Sequence, residues 1–293
     1  MKRKNCLKSG KKIGICAPSA RFDRQKFDQG IGQLQSLGFS LVIPQKIFDE
    51  KRYLAGDDLQ RATLINQFFS DPKIDGIICA RGGFGAMRIL EHLDWELIKN
   101  NPKPFIGFSD ITAILLSIID RTGNPVIHGP TVVSLATPDP RTIESLYQVL
   151  TNPDHPFDLF CEKTLKSGKT CGQFKGGNIS TISHLMGTPF IPDFKESILF
   201  LEEINEPAYK IDRMLIQMKM AGCFDHIQGI VTGSFEHCEN AEYIEQILVE
   251  TFDDCQVPVL TGLACGHGPV NLSLPMGLPV ILDADSRTIS WNR

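Results

Sequence analysis

The chain has 293 residues, 42% hydrophobic and 22% charged. That length accommodates one large or two ordinary domains, and that composition builds a packed core, which excludes disordered and fibrous classes. A formal net charge of −4 lacks the basic field that a phosphate backbone requires, so nucleic acid is not an expected partner. The basic N-terminus (Lys2, Arg3, Lys4, Lys8, Lys11, Lys12) precedes only the short apolar run Ile13 to Ala17 before Pro18, too short for a secretion signal. The longest apolar stretch, Ile111 to Ile119, falls well below the roughly 20 residues that span a bilayer. No membrane is expected, and the protein is expected in the cytoplasm.

The nine cysteines are odd in number, and Cys16, Cys79 and Cys265 sit in or beside apolar runs, so they are expected as reduced, structural thiols. No CxxC occurs, and neither Cys161/Cys171 nor Cys255/Cys265 has a histidine at zinc-ligand spacing. No metal and no organic cofactor are expected.

In chain order, Ile13 to Ala17 reads as a buried strand. Phe27, Ile31, Leu34 and Leu37 then recur at helical spacing up to Gly38. Phe39 to Ile43 is the next strand. Asp57 and Asp58 are candidate caps for a helix carrying Leu59, Ala62, Ile65 and Phe69, ended by Asp71 and Pro72. Ile74 to Ala80, Phe105 to Phe108 and Val126 to His128 are further strands, with a helix from Ile111 to Asp120. This alternation predicts a Rossmann-like parallel sheet in residues 1–150. Prolines and short polar residues between Thr137 and Thr170 surround one helix, Arg141 to Leu150, and predict a linker at 151–170. Residues 171–293 then predict a mixed α/β, β-rich domain. Its helices are Gly176 to Met186, Tyr209 to Met220 and Ala241 to Asp253, its strands Ile198 to Glu202 and Ile227 to Gly233, and it ends in a hairpin of Ile281 to Asp283 with Thr288 to Trp291.

Three segments bear chemistry. In Gly107-Phe108-Ser109-Asp110-Ile111 a serine sits where a strand runs into a helix, the logic of a nucleophile elbow whose helix N-terminus favours a developing oxyanion. The simpler alternative makes Ser109 or Asp110 the helix cap. Arg81-Gly82-Gly83-Phe84-Gly85 also follows a strand and is expected to precede a helix. It is either a phosphate cradle, an oxyanion-hole loop beside Ser109, or a turn that lets the chain pass. A serine nucleophile needs a base and a group to orient that base. Of seven histidines, His128 ends a strand on the productive sheet edge, and His267 lies in a Gly- and Pro-rich loop and is the stronger candidate. His92, His155, His184, His226 and His237 have surface or loop contexts. Glu202 and Glu203 end an apolar strand, where a carboxylate needs a partner.

Together these segments resemble the LD-carboxypeptidase (muramoyltetrapeptide carboxypeptidase) family of serine peptidases. The resemblance runs from Cys16-Ala17-Pro18-Ser19 through Arg81 to Gly85, Gly107 to Asp110 and His128-Gly129-Pro130. It continues in Gly176-Gly177-Asn178, Phe200 to Glu203 with Glu206, Pro207, Asp212 and Arg213, and the Gly266-His267 loop leading to Leu274-Pro275-Met276-Gly277. It implies that Ser109 attacks, that His267 is the base and that Glu202 orients it, with the N–H groups of Gly83 and Asp110 as the oxyanion hole. Arg81, Gly82, His128 and Asn178 would contact substrate, and Arg213 is expected to be structural. The implied reaction releases terminal D-alanine from muropeptide tetrapeptides by cleavage of an L,D-amide, without a cofactor, in an enzyme that is often a homodimer. The alternatives are a self-immunity peptidase of the same superfamily acting on a peptidyl-nucleotide antibiotic, and a non-catalytic nucleotide- or amino-acid-binding protein.

Overall fold

The computed structural model describes Leu7, residues 10–152 and residues 157–291. Lys2, Arg3, Lys4, Lys8 and the linker positions Pro153, Asp154, His155 and Pro156 lie outside the described residues. The chain divides into two compact units, Met1–Asp154 with Leu272–Pro275, and His155–Asn271 with Met276–Arg293.

The first unit alternates β1 (Lys12–Cys16), α1 (Arg24–Ser36), β2 (Ser40–Val42), α2 (Asp58–Ser70), β3 (Gly76–Cys79), α3 (Trp95–Asn100), β4 (Phe105–Gly107), α4 (Thr112–Thr122), β5 (Val126–His128) and α5 (Pro140–Thr151). Every residue of β3, β4 and β5 is buried, as strands covered on both faces require. Asp23, Asp57, Asp94 and Asp139 each accept a backbone N–H of the helix they precede, satisfying a donor that the helix cannot. The five strands pair in parallel in the order β5-β4-β3-β1-β2. The winding therefore reverses between β1 and β3, the point where open parallel sheets usually take ligands at their carboxyl edge. The loops after β1, β3 and β4 all leave from that edge.

The second unit contains β6 (Phe157–Phe160), β7 (Lys163–Lys166), β8 (Lys169–Asn178), α6 (Ile179–His184), β9 (Ser197–Ile204), α7 (Ala208–Met220), β10 (Gly229–Glu236), α8 (Ile244–Thr251) and β11 (Val259–Thr261). After β12 (Leu274–Met276), which joins the first sheet beside β5, it closes with β13 (Pro279–Asp283) and β14 (Thr288–Trp291). Its eight-stranded sheet runs β6-β14-β13-β8-β9-β10-β11-β7, with β8, β9, β10 and β11 parallel and antiparallel strands on both flanks. Trp291 stacks on Phe157 at 4.7 Å and meets Phe174 edge-on at 5.3 Å, which seals one end of this core.

Three expectations change. The tract 151–170 is not a plain linker, because β6 and β7 pair through it with β14 and β11. Gly176 and Gly177 do not open a helix. They extend β8 beside β9, and α6 begins only after Asn178, whose side chain caps it. The segment after the Gly82 loop and the start of the 241–253 helix are 3₁₀ turns, Met87–His92 and Ala241–Tyr243.

Candidate active site

In the first unit, extended Phe108 leads from β4 into Ser109, which takes φ +65° before a 3₁₀ turn opens α4. A non-glycine residue in the left-handed region costs about 1–2 kcal/mol, and such strain clusters where geometry serves function. Ser109 is half-buried. Neither it nor Asp110 caps α4, since the residue preceding that helix, Ile111, makes no side-chain cap. Asp110 instead turns its carboxylate back, accepting the Ser19 hydroxyl at 2.6 Å and the Ala86 N–H at 2.8 Å.

The Gly82 loop lies against the serine. A Cβ on Gly82 would stand 2.9 Å from Ser109 Cβ and 3.3 Å from the Phe108 carbonyl, so only glycine permits this approach. Gly83 has φ +100° and is exposed. Arg81 donates to the Arg21 carbonyl at 2.6 Å. Beyond Gly83, the half-exposed rings of Phe84 and Tyr53 meet edge-on at 5.5 Å. His128 is fully buried at the end of β5, opposite Gly107 of β4, with its ring 6.0 Å from that of Phe108.

In the second unit, Glu202 and Glu203 are consecutive in β9, so their side chains leave on opposite faces. Glu202 is fully buried, and its Oε2 lies 2.6 Å from His267 Nδ1. Glu203 accepts from Asn178 Nδ2 (2.8 Å), from the N–H and hydroxyl of Ser180 (2.8 and 2.7 Å) and from the Ile204 N–H (2.9 Å). Asn178 Oδ1 accepts the Thr181 N–H at 3.0 Å, so both ends of that amide serve the start of α6. Arg213 lies over the Tyr209 ring at 5.5 Å, while Glu206 pairs with Lys210.

The loop presenting His267 is braced by two residues that sequence patterning did not identify as supports. Ser234, in the irregularity of β10 between Thr232 and Phe235, accepts the Gly268 N–H at 3.0 Å and donates its own N–H to Cys265 at 2.9 Å. Asn271 accepts the Gly266 N–H at 3.2 Å. Gly266 has φ +116°, and a Cβ there would meet Glu202 Oε2 and Ser234 Oγ at 2.9 Å each. A strand irregularity has no sequence signature, which hides Ser234; Asn271 stands within the loop, but its contact is tertiary.

Burial pulls the His267 pKa down. The hydrogen bond and charge of Glu202, with Glu203 and Glu236 adding, more than offset this and hold it above the ordinary imidazole value. Burial drives the Glu203 pKa up, and its donors from Ser180, Ile204 and Asn178 only partly oppose that.

Arg81, Gly82, Gly83, Ser109, Asp110 and His128 thus belong to the first unit, and Asn178, Glu202 and His267 to the second. Among the described residues no group of three or more His, Cys, Asp or Glu side chains is arranged to hold a metal ion. Nor is any helix among them long and apolar enough to cross a membrane.

Residues 13–129 match the LD-carboxypeptidase N-terminal domain and residues 171–282 the LD-carboxypeptidase C-terminal domain. A probable murein peptide carboxypeptidase of Bacillus subtilis is 32% identical over 96% of this chain and 92% of its own. Among solved structures, MccF in complex with glutamyl sulfamoyl guanosine superposes with a TM-score of 0.92 at 27% identity, covering 99% of this chain and 98% of that one. The muramoyltetrapeptide carboxypeptidase of Oxalobacter formigenes gives 0.86 at 26% identity, covering 95% and 97%. With both domain types matched in order and full-length relatives above 30% identity, the chain belongs to the LD-carboxypeptidase family of peptidases.

Proposed function

We propose that this protein is a cytoplasmic serine carboxypeptidase that removes terminal D-alanine from muropeptide tetrapeptides during cell-wall recycling. The observation that carries the proposal is the contact of buried Glu202 with part-buried His267 at 2.6 Å. A carboxylate on Nδ1 fixes the tautomer, so Nε2 is the nitrogen that takes a proton from a serine. The strained Ser109 elbow supplies the attacking hydroxyl. Ser109 adds to the carbonyl of the L,D-amide, His267 accepts its proton and returns it to the departing amine, and Glu202 stabilises the imidazolium. The oxyanion is held by the N–H groups of Gly83 and Asp110, with Arg81, Gly82, His128 and Asn178 shaping the ground for substrate. Water then resolves the acyl-enzyme by the same route in reverse.

The test is release of free D-alanine from L-Ala-D-Glu-meso-diaminopimelate-D-Ala by the protein and by folded Ser109→Ala. Release that disappears in the variant supports both substrate and nucleophile. No release from the folded wild-type protein removes the carboxypeptidase reading.

A second reading, an amidase acting on peptidyl nucleotides, draws on the half-exposed Tyr53–Phe84 pair beside Gly83, which offers a ring face to a nucleobase. It also draws on the similarity to MccF, a microcin C7 self-immunity protein. Cleavage of an aminoacyl nucleotide mimic in preference to the tetrapeptide would establish it.

A further inference from the structure

Two side chains of opposite charge tie the loop after β1 to the loop after β3 at consecutive residues. Arg61, from α2, donates through Nη1 to the carbonyl of Pro18 and to that of Gly85, the latter at 3.0 Å. Asp110 accepts through a single oxygen, Oδ2, from the Ser19 hydroxyl at 2.6 Å and from the Ala86 N–H at 2.8 Å. Pro18–Ser19 is therefore joined to Gly85–Ala86 twice, once through a cation and once through an anion. The Ala20 N–H adds a third tie, to the Gly82 carbonyl at 3.2 Å. Arg61 is only 3% exposed and is itself anchored by Asp58, which also pairs with Arg88.

These loops leave the sheet on either side of the point where its winding reverses, where a ligand usually sits in such sheets. Here the protein's own guanidinium and carboxylate bridge that crevice. The tied loop leans on Ser109 through Gly82, and Asp110 is the next residue in the chain. A segment with glycines at 82, 83 and 85 has little stiffness of its own, yet a donor to an oxyanion must be held to within about 0.5 Å.

We propose that Arg61 and Asp110 are positioning residues, a twin clamp that fixes the 82–86 loop, and with it the Gly83 N–H, relative to Ser109. The inference rests on Ser109 being the nucleophile. The Asp110 carboxylate has a part separate from that of its backbone N–H. It couples the turn bearing the serine to the loop bearing the second donor, so the two move as one piece. Arg61 sets the same loop from α2, through the Pro18 and Gly85 carbonyls.

The test compares full-length wild type, Ser19→Ala, Asp110→Ala, Asp110→Asn and the Ser19→Ala/Asp110→Ala pair. The readouts are the rate of Ser109 labelling by a fluorophosphonate, kcat and KM per labelled site, and thermal unfolding. Misplacing a catalytic group by about 1 Å costs up to roughly 100-fold. Ser19→Ala and Asp110→Ala are therefore expected to lose about 10- to 100-fold in kcat per labelled site, with KM within about twofold and less than additive losses in the pair. Asp110→Asn, whose amide oxygen still accepts both bonds, should recover about tenfold of what Asp110→Ala loses. Wild-type kcat per labelled site in both alanine variants, with only lowered thermal stability, would overturn the proposal. Asp110→Asn falling as far as Asp110→Ala would do the same for the clamp and assign the effect to charge. If Asp110→Ala does not fold, Ser19→Ala, which removes one hydroxyl, decides the matter by the same readouts. Labelling without D-alanine release separates the outcomes, since it removes the carboxypeptidase reading and leaves the labelling rates to judge the clamp.

Discussion

His267 meets Glu202 at 2.6 Å while the adjacent Glu203 is turned away to the start of α6. Two neighbouring carboxylates of one strand thus have different tasks. Glu202→Gln is expected to fold and to lose on the order of 10⁴-fold in kcat, as when a triad carboxylate is made neutral. Glu203→Ala strips acceptors from Asn178 and Ser180, and is expected to destabilise by about 1–3 kcal/mol. Denaturant unfolding together with kcat on the folded fraction distinguishes the two; equal kcat losses would contradict the division.

The pH profile carries the same signature. His267, the proposed base, can take a proton only when neutral, and its pKa is raised by Glu202 despite burial. The acid limb of kcat/KM should therefore have its midpoint above about 6.5, the ordinary imidazole value, and Glu202→Gln should move it down. The raised value also links to stability. The folded state binds the proton more tightly than the unfolded chain, so this contribution is complete below about 6.5 and is lost as pH rises through the folded-state pKa. The Tm advantage of wild type over Glu202→Gln should be larger at about pH 6 than at about pH 9.

Ser109 sits at φ +65°, a conformation that glycine adopts freely and alanine does not. Both Ser109→Gly and Ser109→Ala should be inactive, with the glycine variant more stable by about 1 kcal/mol. Urea midpoints in the reverse order would show that the turn relaxes when the hydroxyl is removed.

At Gly82 a methyl group would press on Ser109 Cβ and the Phe108 carbonyl. Gly82→Ala should keep the overall fold by circular dichroism and lose about 100-fold or more in kcat, because the serine and the loop must part. Near-normal turnover would mean that the loop is not set by this contact.

The thiols are expected to be bystanders. Cys16 and Cys79, on neighbouring strands with sulfurs 3.8 Å apart, are fully buried, and burial drives the Cys79 pKa well up. Among the described cysteines Cys171 is exposed. Brief alkylation at neutral pH should modify Cys171 well ahead of Cys16 and Cys79 and leave turnover intact, as peptide mapping by mass spectrometry would read.

The elements that sequence resolved best are those whose periodicity is local. Phe27, Ile31 and Leu34 mark the buried face of α1, and the runs at 13–17 and 74–80 become the core strands β1 and β3. Where tertiary pairing decides, the pattern misleads. Gly176 and Gly177 look like a helix start, but their extended backbone is fixed by pairing with Phe200 and Leu201. The 157–166 tract looks like a linker because its strands, at the flanks of a sheet, contain no fully buried residue. At the candidate site, strand ends and glycine turns pointed to Ser109, Gly82 and Glu202. Between Glu202 and Glu203, periodicity leaves the partner of His267 open and the family resemblance names Glu202; the braces Ser234 and Asn271 need three dimensions. Arg61 is legible only as a polar position on an amphipathic helix, since its acceptors are carbonyls on two distant loops.

Leu272–Pro275 counts with the first unit although it lies near the chain's end, and β12 completes that unit's sheet beside β5. During synthesis the β5 edge therefore emerges long before its neighbour strand exists. At ribosomal rates of about 5–20 residues per second, the wait from His128 to Leu274 is about 7–30 s. For that interval the outer edge of β5 has no neighbour, the kind of edge that recruits other chains. A gene fragment ending near residue 154 would leave it in that state permanently, so soluble expression of the unit that carries Ser109 is expected to need the 272–275 segment grafted back.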